Sequence, residues 1–291
     1  MLAETIEALA VRPGAVVVDC TVGRGGHSVA VAAALGPEGK LIGLDADPRN
    51  IEYARTRLQT AGCPVHLFNA NFSELDLVLR EVGIPQVDAL LADLGLSTNQ
   101  FLTPDYGMSF SEQGPLDMRI DPRTRLTASQ IVNRFGEREL ADLLYHLSDE
   151  RFSRRIARKI VEARKVSPIK STSDLAELVR SAVPSTGAGR AGTRIDPATR
   201  TFMALRMKVN EEVENLSRLL EVAPGHLKPG GRMAVISFHS VEDRAVKQAF
   251  RFAEQTGLLK VVTKKPLSPS DLETARNPRA RSAKLRVAEK T

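Results

Sequence analysis

Apolar residues fall in short, nearly continuous runs along the first part of the chain, separated by longer stretches in which they recur every three or four positions. The runs at 15–20, 40–44, 65–68 and 87–93 predict strands. Their lack of polar alternation marks strands covered on both faces, as in a parallel sheet. The intervals at 27–35, 48–60 and 73–82 predict helices. Strands and helices alternating at this spacing give right-handed crossovers and a doubly wound α/β sheet.

The alternation stops after the fourth strand. Residues 95–122 are rich in Gly, Pro, Ser and Asp with isolated apolar side chains, too long for an ordinary connection and therefore predicted to be a functional loop. Residues 128–181 predict helices, broken near Ser167-Pro168 and Val183-Pro184, and the Gly-rich stretch 185–192 predicts a mobile connection. The α/β pattern resumes with a long helix from Pro197, a proline placed in a first helical turn, to about Val222. A turn at Pro229-Gly230-Gly231, a strand at 232–238, a helix at 241–255 and strands at 258–263 and 283–288 complete the chain. The expectation is one α/β domain in two pieces, residues 1–106 and 201–291, interrupted at 107–200 by a loop and a helical insertion.

Composition narrows this picture. Of the 291 residues 42% are apolar, enough for one large or two modest cores. No stretch approaches the ~18 to 20 apolar residues of a membrane helix. Glu4 and Glu7 precede the first base, Arg12, unlike a signal peptide, and Cys20 and Cys63 lack metal-type spacing. A cytoplasmic protein with reduced thiols is expected. The formal net charge of +6 is unevenly spread: residues 1–150 carry a net −9 and residues 151–291 a net +15. Basic blocks at 151–200 and 251–291 point to an anionic macromolecule met by particular surfaces.

The most informative run is Val16-Val17-Val18-Asp19-Cys20-Thr21-Val22-Gly23-Arg24-Gly25-Gly26-His27. A strand ends in an acid, a Gly-rich turn follows and a helix begins, so that backbone can approach a ligand where a side chain would block it. The second strand ends in Asp45, placed to accept both ribose hydroxyls of an adenosine moiety. The third position of a dinucleotide fingerprint is Ser28 instead of Gly or Ala, and no P-loop sequence occurs. Asp19 beside the turn would repel a pyrophosphate and suits a ligand with a cationic amino acid group. S-adenosylmethionine fits that description. Asp93, Ser97 and Gln100, at and after the end of the fourth strand, would lie near the transferred group. In Phe238-His239-Ser240-Val241-Glu242-Asp243, His239 is a second site candidate, and Ser240 with Asp243 would cap the next helix. The other histidines, His66, His146 and His226, are scattered without zinc-type spacing, so no metal site is expected.

Several runs together resemble the bacterial ribosomal small-subunit methyltransferase H family, also called MraW. They are residues 19–28, Gly43-Leu44-Asp45-Ala46-Asp47-Pro48, Asn71-Phe72, Leu91-Ala92-Asp93-Leu94-Gly95, Gly114-Pro115-Leu116-Asp117-Met118-Arg119, residues 151–157, residues 236–240 and Asn277-Pro278-Arg279-Ala280-Arg281-Ser282. The resemblance implies a Rossmann-like, class I methyltransferase fold with an inserted helical domain, S-adenosylmethionine as cofactor, and N4-methylation of a cytidine in the decoding region of 16S rRNA within the small subunit. It implies cofactor contacts at Gly25, Gly26, His27, Asp45, Phe72, Asp93 and Gln100. The chain departs from the family pattern at Ser97-Thr98-Asn99-Gln100, where Ser-Ser-Pro-Gln is usual, and at Asp196, where His is usual.

Cytosine's exocyclic amine is a weak nucleophile, its lone pair delocalised into the ring, so transfer depends on in-line positioning and an acceptor for the amine hydrogens. Asp93, or a carbonyl within 94–97, is the expected acceptor, with Ser97 and His239 as further catalytic candidates and Phe238 or Phe110 stacking on an extruded base. For RNA, Arg151, Arg154, Arg155 and Arg158 fall within a helical arc of about 100°, with Phe152, Ile156, Ile160 and Ala163 on the adjacent, packing arc. Arg279 and Arg281, in a tail with Arg276, Lys284 and Arg286, form a second basic candidate. With 10 Phe, 3 Tyr and no Trp, a broad stacking platform is not expected. Competing readings are a methyltransferase of another substrate class, a nucleic-acid-binding assembly factor with an idle pocket, and a dehydrogenase.

Overall fold

The computed structural model describes residues 1–184 and 196–291; the Gly-rich stretch read as a mobile connection lies outside the described residues. The chain forms two compact units, one of Met1–Gly95 with Val213–Thr291 and one of Leu96–Glu212. The sequence placed these boundaries at 106 and 200. They fall elsewhere because Tyr106 is buried in the core of the second unit with Leu96 packed against it on one side, and Leu205 and Val209 are buried in it on the other.

The first unit is a seven-stranded sheet in the order β3-β2-β1-β4-β5-β7-β6. Its strands are β1 (Val16–Asp19), β2 (Lys40–Asp45), β3 (Val65–Asn69), β4 (Val87–Asp93), β5 (Leu227–Ser237), β6 (Leu259–Val261) and β7 (Lys284–Lys290). The strands β1 to β5 pair in parallel, and β7 runs antiparallel to both β5 and β6. Helices, numbered along the whole chain, are α1 (Leu2–Leu9), α2 (Gly26–Leu35), α3 (Pro48–Arg57) and α4 (Leu75–Val82) before the second unit, and α11 (Glu212–Val222), α12 (Ser240–Gln255) and α13 (Asp271–Arg276) after it. Consecutive strand residues divide between two cores, as a period of two requires. Val17, Leu41 and Leu91 pack with Leu9, Val31 and Leu35 on one face, and Val18, Ile42 and Leu90 pack with Leu79, Leu219 and Phe250 on the other. This double burial explains the unbroken apolar runs in the sequence.

The chain steps outward from β1 to β3 and then returns to place β4 beside β1. The strand order thus reverses between β1 and β4, and ligands of such sheets bind in the crevice outside the carboxyl ends of the strands at that point. One glycine makes the nearby turn possible: a Cβ on Gly43 would stand 2.5 Å from Val22 Cγ2 and 2.6 Å from Leu67 Cδ2.

The second unit consists of α5 (Thr98–Leu102), α6 (Ala128–Arg134), α7 (Glu137–Ser148), α8 (Ser153–Val166), α9 (Thr172–Ala182) and α10 (Ala198–Val209). Ile131, Leu140, Leu144, Ile156, Ile160, Leu175 and Val179 form its core, joined by Tyr106, Met108, Leu116 and Met118. The segment predicted as a functional loop is thus largely a packed part of this unit. The long helix expected from Pro197 to Val222 is two helices. Between them Asn210 donates from Nδ2 to the carbonyls of Met118 (2.8 Å) and Arg206 (2.9 Å) and accepts from Ile120 N (2.8 Å). Glu211 then takes a left-handed conformation, φ 49°, which no α-helix continues through. The turn expected at Pro229-Gly230-Gly231 is a bulge within β5, whose pairing with β4 jumps from Val87↔Leu227 to Ala89↔Arg232. Helices α1 and α13 are additional to the sequence expectation. Among the described residues no helix is long and apolar enough to cross a membrane.

Candidate functional site

The crevice is built from three strand ends. At the end of β1, Asp19 is buried, 1% exposed. Its carboxylate accepts from Ser28 Oγ at 2.6 Å and from Thr21 N at 3.1 Å. Burial raises its pKa to about 6, against those hydrogen bonds. Asp19 therefore ties β1 to α2 and does not face a ligand, which corrects the role read for it in choosing among adenosine ligands. Gly25, with φ 75°, caps α2 in the left-handed region, and Gly26 opens the helix. A Cβ on Gly26 would meet nothing within 4 Å, so the backbone there is open to a neighbour.

Asp45 closes β2. Its Oδ2 accepts from Gly23 N at 2.7 Å and its Oδ1 from Asp47 N at 2.8 Å, with Asn50 Nδ2 3.3 Å from each oxygen. Burial raises its pKa to about 6, opposed by the amides of Asp47 and Gly23. Asn69, at the end of β3, donates to the carbonyls of Asp45 and Ala46, both at 3.0 Å. Asn71 and Glu74 exchange capping hydrogen bonds around the short turn Phe72–Glu74, which leaves Phe72 half-buried against the core. Asn50 and Asn69 carry no signal in the sequence, since their partner is set by the register of separate elements.

Asp93 closes β4 and is held by Thr21, whose Oγ1 accepts from Asp93 N at 2.6 Å. Its Oδ2 lies 3.4 Å from His27 Nδ1. Asp93 Oδ1 and His27 Nε2 are buried with no hydrogen-bond partner among the described residues. Burial first, and then the charges of Asp19 and Glu242 against that of the Met1 amino group, raises the Asp93 pKa to about 7. Burial lowers that of His27 to about 4. At neutral pH His27 is uncharged and Asp93 is at its titration point. Gly95, φ 101°, follows with Phe238 against it, 3.4 Å from where a Cβ would stand.

His239 is turned to structure. It is the residue that caps α12, its Nδ1 accepting from Glu242 N at 3.5 Å and its Nε2 lying 3.0 Å from Glu242 Oε1. Ser240 is the first helical residue and not the cap. Asp243, expected to complete the capping box, instead binds Arg286 Nε (2.7 Å) and Lys284 Nζ (3.2 Å). Lys284 and Arg286 thereby leave the basic tail, while Arg279 and Arg281 stay exposed in the turn Pro278–Ser282.

The remaining candidates belong to the second unit. Gln100 is 3% exposed, and its Oε1 accepts from Ser97 N at 3.0 Å while Ser97 Oγ meets Asn99 Oδ1 at 2.9 Å, so this pair caps α5. Phe110 packs edge-on against Phe202, with ring centroids 4.8 Å apart. On α8, Arg154, Arg155 and Arg158 are exposed, with Arg151 just before the helix. Arg158 approaches Glu137 at 3.7 Å. The packed face is Ser153, Ile156, Ala157 and Ile160; Phe152, expected there, precedes the helix and is 37% exposed.

The family model described as the MraW methylase family matches residues 1–291. A protein of Acidobacterium capsulatum named Ribosomal RNA small subunit methyltransferase H is 49% identical over 297 residues, covering 100% of this chain and 97% of its own length. Its namesake in Solibacter usitatus is 48% identical over 289 residues, covering 99% of this chain and 98% of its own length. That of Geobacter sulfurreducens is 45% identical over 305 residues, covering 100% and 97%. With the strand order of the sheet and the site at its switch point, these matches make the chain a member of the MraW methylase family of S-adenosylmethionine-dependent methyltransferases.

Proposed function

We propose that this methyltransferase modifies small-subunit 16S rRNA, at the exocyclic N4 of a decoding-region cytidine. The observation that carries the reading is the set of groups at the carboxyl ends of β1, β2 and β4. Asp45 is fixed by the backbone amides of Gly23 and Asp47, and Asp93 Oδ1 is buried with no hydrogen-bond partner among the described residues. A buried carboxylate whose pKa stays raised to about 7 despite the charge of the Met1 amino group suits a cationic ligand, because an opposite charge within a few ångströms restores the ionised form. The residues thus fit S-adenosylmethionine, which when bound supplies a methyl group on a sulfonium centre.

The chain's own part is positioning and proton handling. Asp45 would accept from the ribose hydroxyls, with Gly25 and Gly26 keeping the turn clear of side chains and Phe72 beside the adenine. Asp93, with His27 next to it, accepts a hydrogen of the amine and so keeps electron density on its nitrogen. Ser97 and Gln100 retain their assigned parts through the resemblance alone. Phe238 or Phe110 would stack on an extruded base. The exposed arginines 151, 154, 155 and 158, with 279 and 281, would bind phosphates.

The names of the relatives support the RNA substrate. Incubation with labelled S-adenosylmethionine and small subunits lacking the modification, followed by mass-spectrometric mapping, tests it. Label at N4 of a decoding-region cytidine is expected; label confined to another base or to protein overturns the substrate assignment.

A further inference from the structure

One face of α3 touches the glycine turn. The Arg24 guanidinium lies over the ring of Tyr53, 3.6 Å from its centroid. One helical turn further on, Arg57 donates from Nη1 to the Arg24 carbonyl at 3.1 Å. Between them Ala54 is buried behind the turn, its Cβ 3.9 Å from the place of a Cβ on Gly25, with Arg57 Cδ at 3.7 Å. The other end of α3 is tied to the acid of β2. Asp47 caps the helix through Arg49 N at 2.9 Å, and Asn50 reaches both Asp45 oxygens at 3.3 Å. A single ten-residue helix is therefore braced on Asp45 at its start and on the turn at its end.

Surface charge pairing does not explain this arrangement. Among the described residues neither Arg24 nor Arg57 pairs with a carboxylate, and no hydrogen bond engages the Tyr53 hydroxyl, although Tyr53 is 44% exposed. What remains is the ring beneath a guanidinium and a guanidinium on a carbonyl, both directed at the turn. At an exposed site the cation–ring contact is worth about 0.5 to 1 kcal/mol, small against the fold as a whole. The geometry of these side chains instead fixes the backbone that must approach the ligand.

We propose that Tyr53 and Arg57 are positioning residues of the cofactor site, holding the turn at residues 23–25 at a set distance from Asp45. The inference rests on the reading that Asp45 and this turn hold S-adenosylmethionine. Calorimetric titration of the full chain with S-adenosylmethionine tests it, using Tyr53→Ala, Arg57→Ala, the double variant, Tyr53→Phe and, as a control on the site itself, Asp45→Ala. Each single alanine variant is expected to weaken binding by about 2- to 5-fold, the worth of an exposed cation–ring contact, and the double variant by more than either. Tyr53→Phe keeps wild-type affinity, since the ring and not the hydroxyl is used. Turnover at saturating cofactor stays at the wild-type level in all of these except Asp45→Ala, and melting temperatures stay near that of the parent. Wild-type affinity in Tyr53→Ala and Arg57→Ala beside weakened binding in Asp45→Ala overturns the inference alone. Undiminished binding in Asp45→Ala overturns the reading of the site. A fall in melting temperature that tracks the loss of affinity, without rescue by Tyr53→Phe, shows a merely structural role and also overturns the inference.

Discussion

In the proposed mechanism Asp93 accepts from the amine, and its environment sets a pH dependence of definite sign. Its pKa is raised to about 7, so acidification through neutrality adds a proton and removes the negative charge that suits a cationic cofactor. His27, lowered to about 4, stays neutral across that range and contributes no compensating change. Affinity for S-adenosylmethionine should therefore fall by up to about tenfold per pH unit below 7 and level off above it. Titration calorimetry between pH 5.5 and 8.5 reads this directly, and Asp93→Asn should flatten the curve. Some placements were legible from the sequence and others were not, for a physical reason. The position of Asp45 at a strand end and of the glycine turn beside it follows from where the apolar runs stop, which local pattern reveals. The partners of Asp19, His239 and Lys284 (Ser28, Glu242 and Asp243) were not legible because packing chooses them, and Asp243 meets Arg286 43 positions away.

At the scale of elements, the turn after β1 and the strand β2 depend on each other. Gly43 leaves room for Val22 and Leu67, which a Cβ would approach to 2.5 and 2.6 Å, and Val22 N donates to Leu44 O at 2.9 Å across the same gap. Gly43→Ala should cost about 1 to 3 kcal/mol of stability, the usual penalty for overpacking a core, and should weaken cofactor binding as the turn is displaced. Thermal unfolding and calorimetry on the same variant check both effects. The strands β1 to β4 and the helices between them were readable because double burial writes continuous apolar runs. The break between α10 and α11 was not, because Asn210 ends the helix through Met118 and Ile120, residues some 90 positions earlier. No helix-breaking glycine or proline announces it.

For the whole molecule, the charge is uneven: residues 1–150 carry a net −9 and residues 151–291 a net +15. Part of that excess is spent internally, as Lys284 and Arg286 on Asp243 and Arg164 on the carbonyls of Val132 and Phe135 show. Arg154, Arg155 and Arg158 on α8 are exposed and are the proposed phosphate-binding surface. Replacing Arg154 and Arg155 by Gln should weaken binding to small subunits and lower the slope of log affinity against log salt by about 0.7 to 0.9 for each phosphate no longer neutralised. Affinity for S-adenosylmethionine should not change. A salt slope equal to that of the parent would remove α8 from the RNA interface.

Whether the crevice between β1 and β4 transfers a methyl group with Asp93 accepting from the amine is tested most directly by single-turnover methyl transfer to unmodified small subunits. The measurement compares the wild type with Asp93→Asn, each saturated with S-adenosylmethionine. Without the carboxylate as acceptor, the rate in the variant is expected to be lower by about 10²- to 10⁴-fold. A variant that transfers the methyl group at the wild-type rate would contradict this role for Asp93.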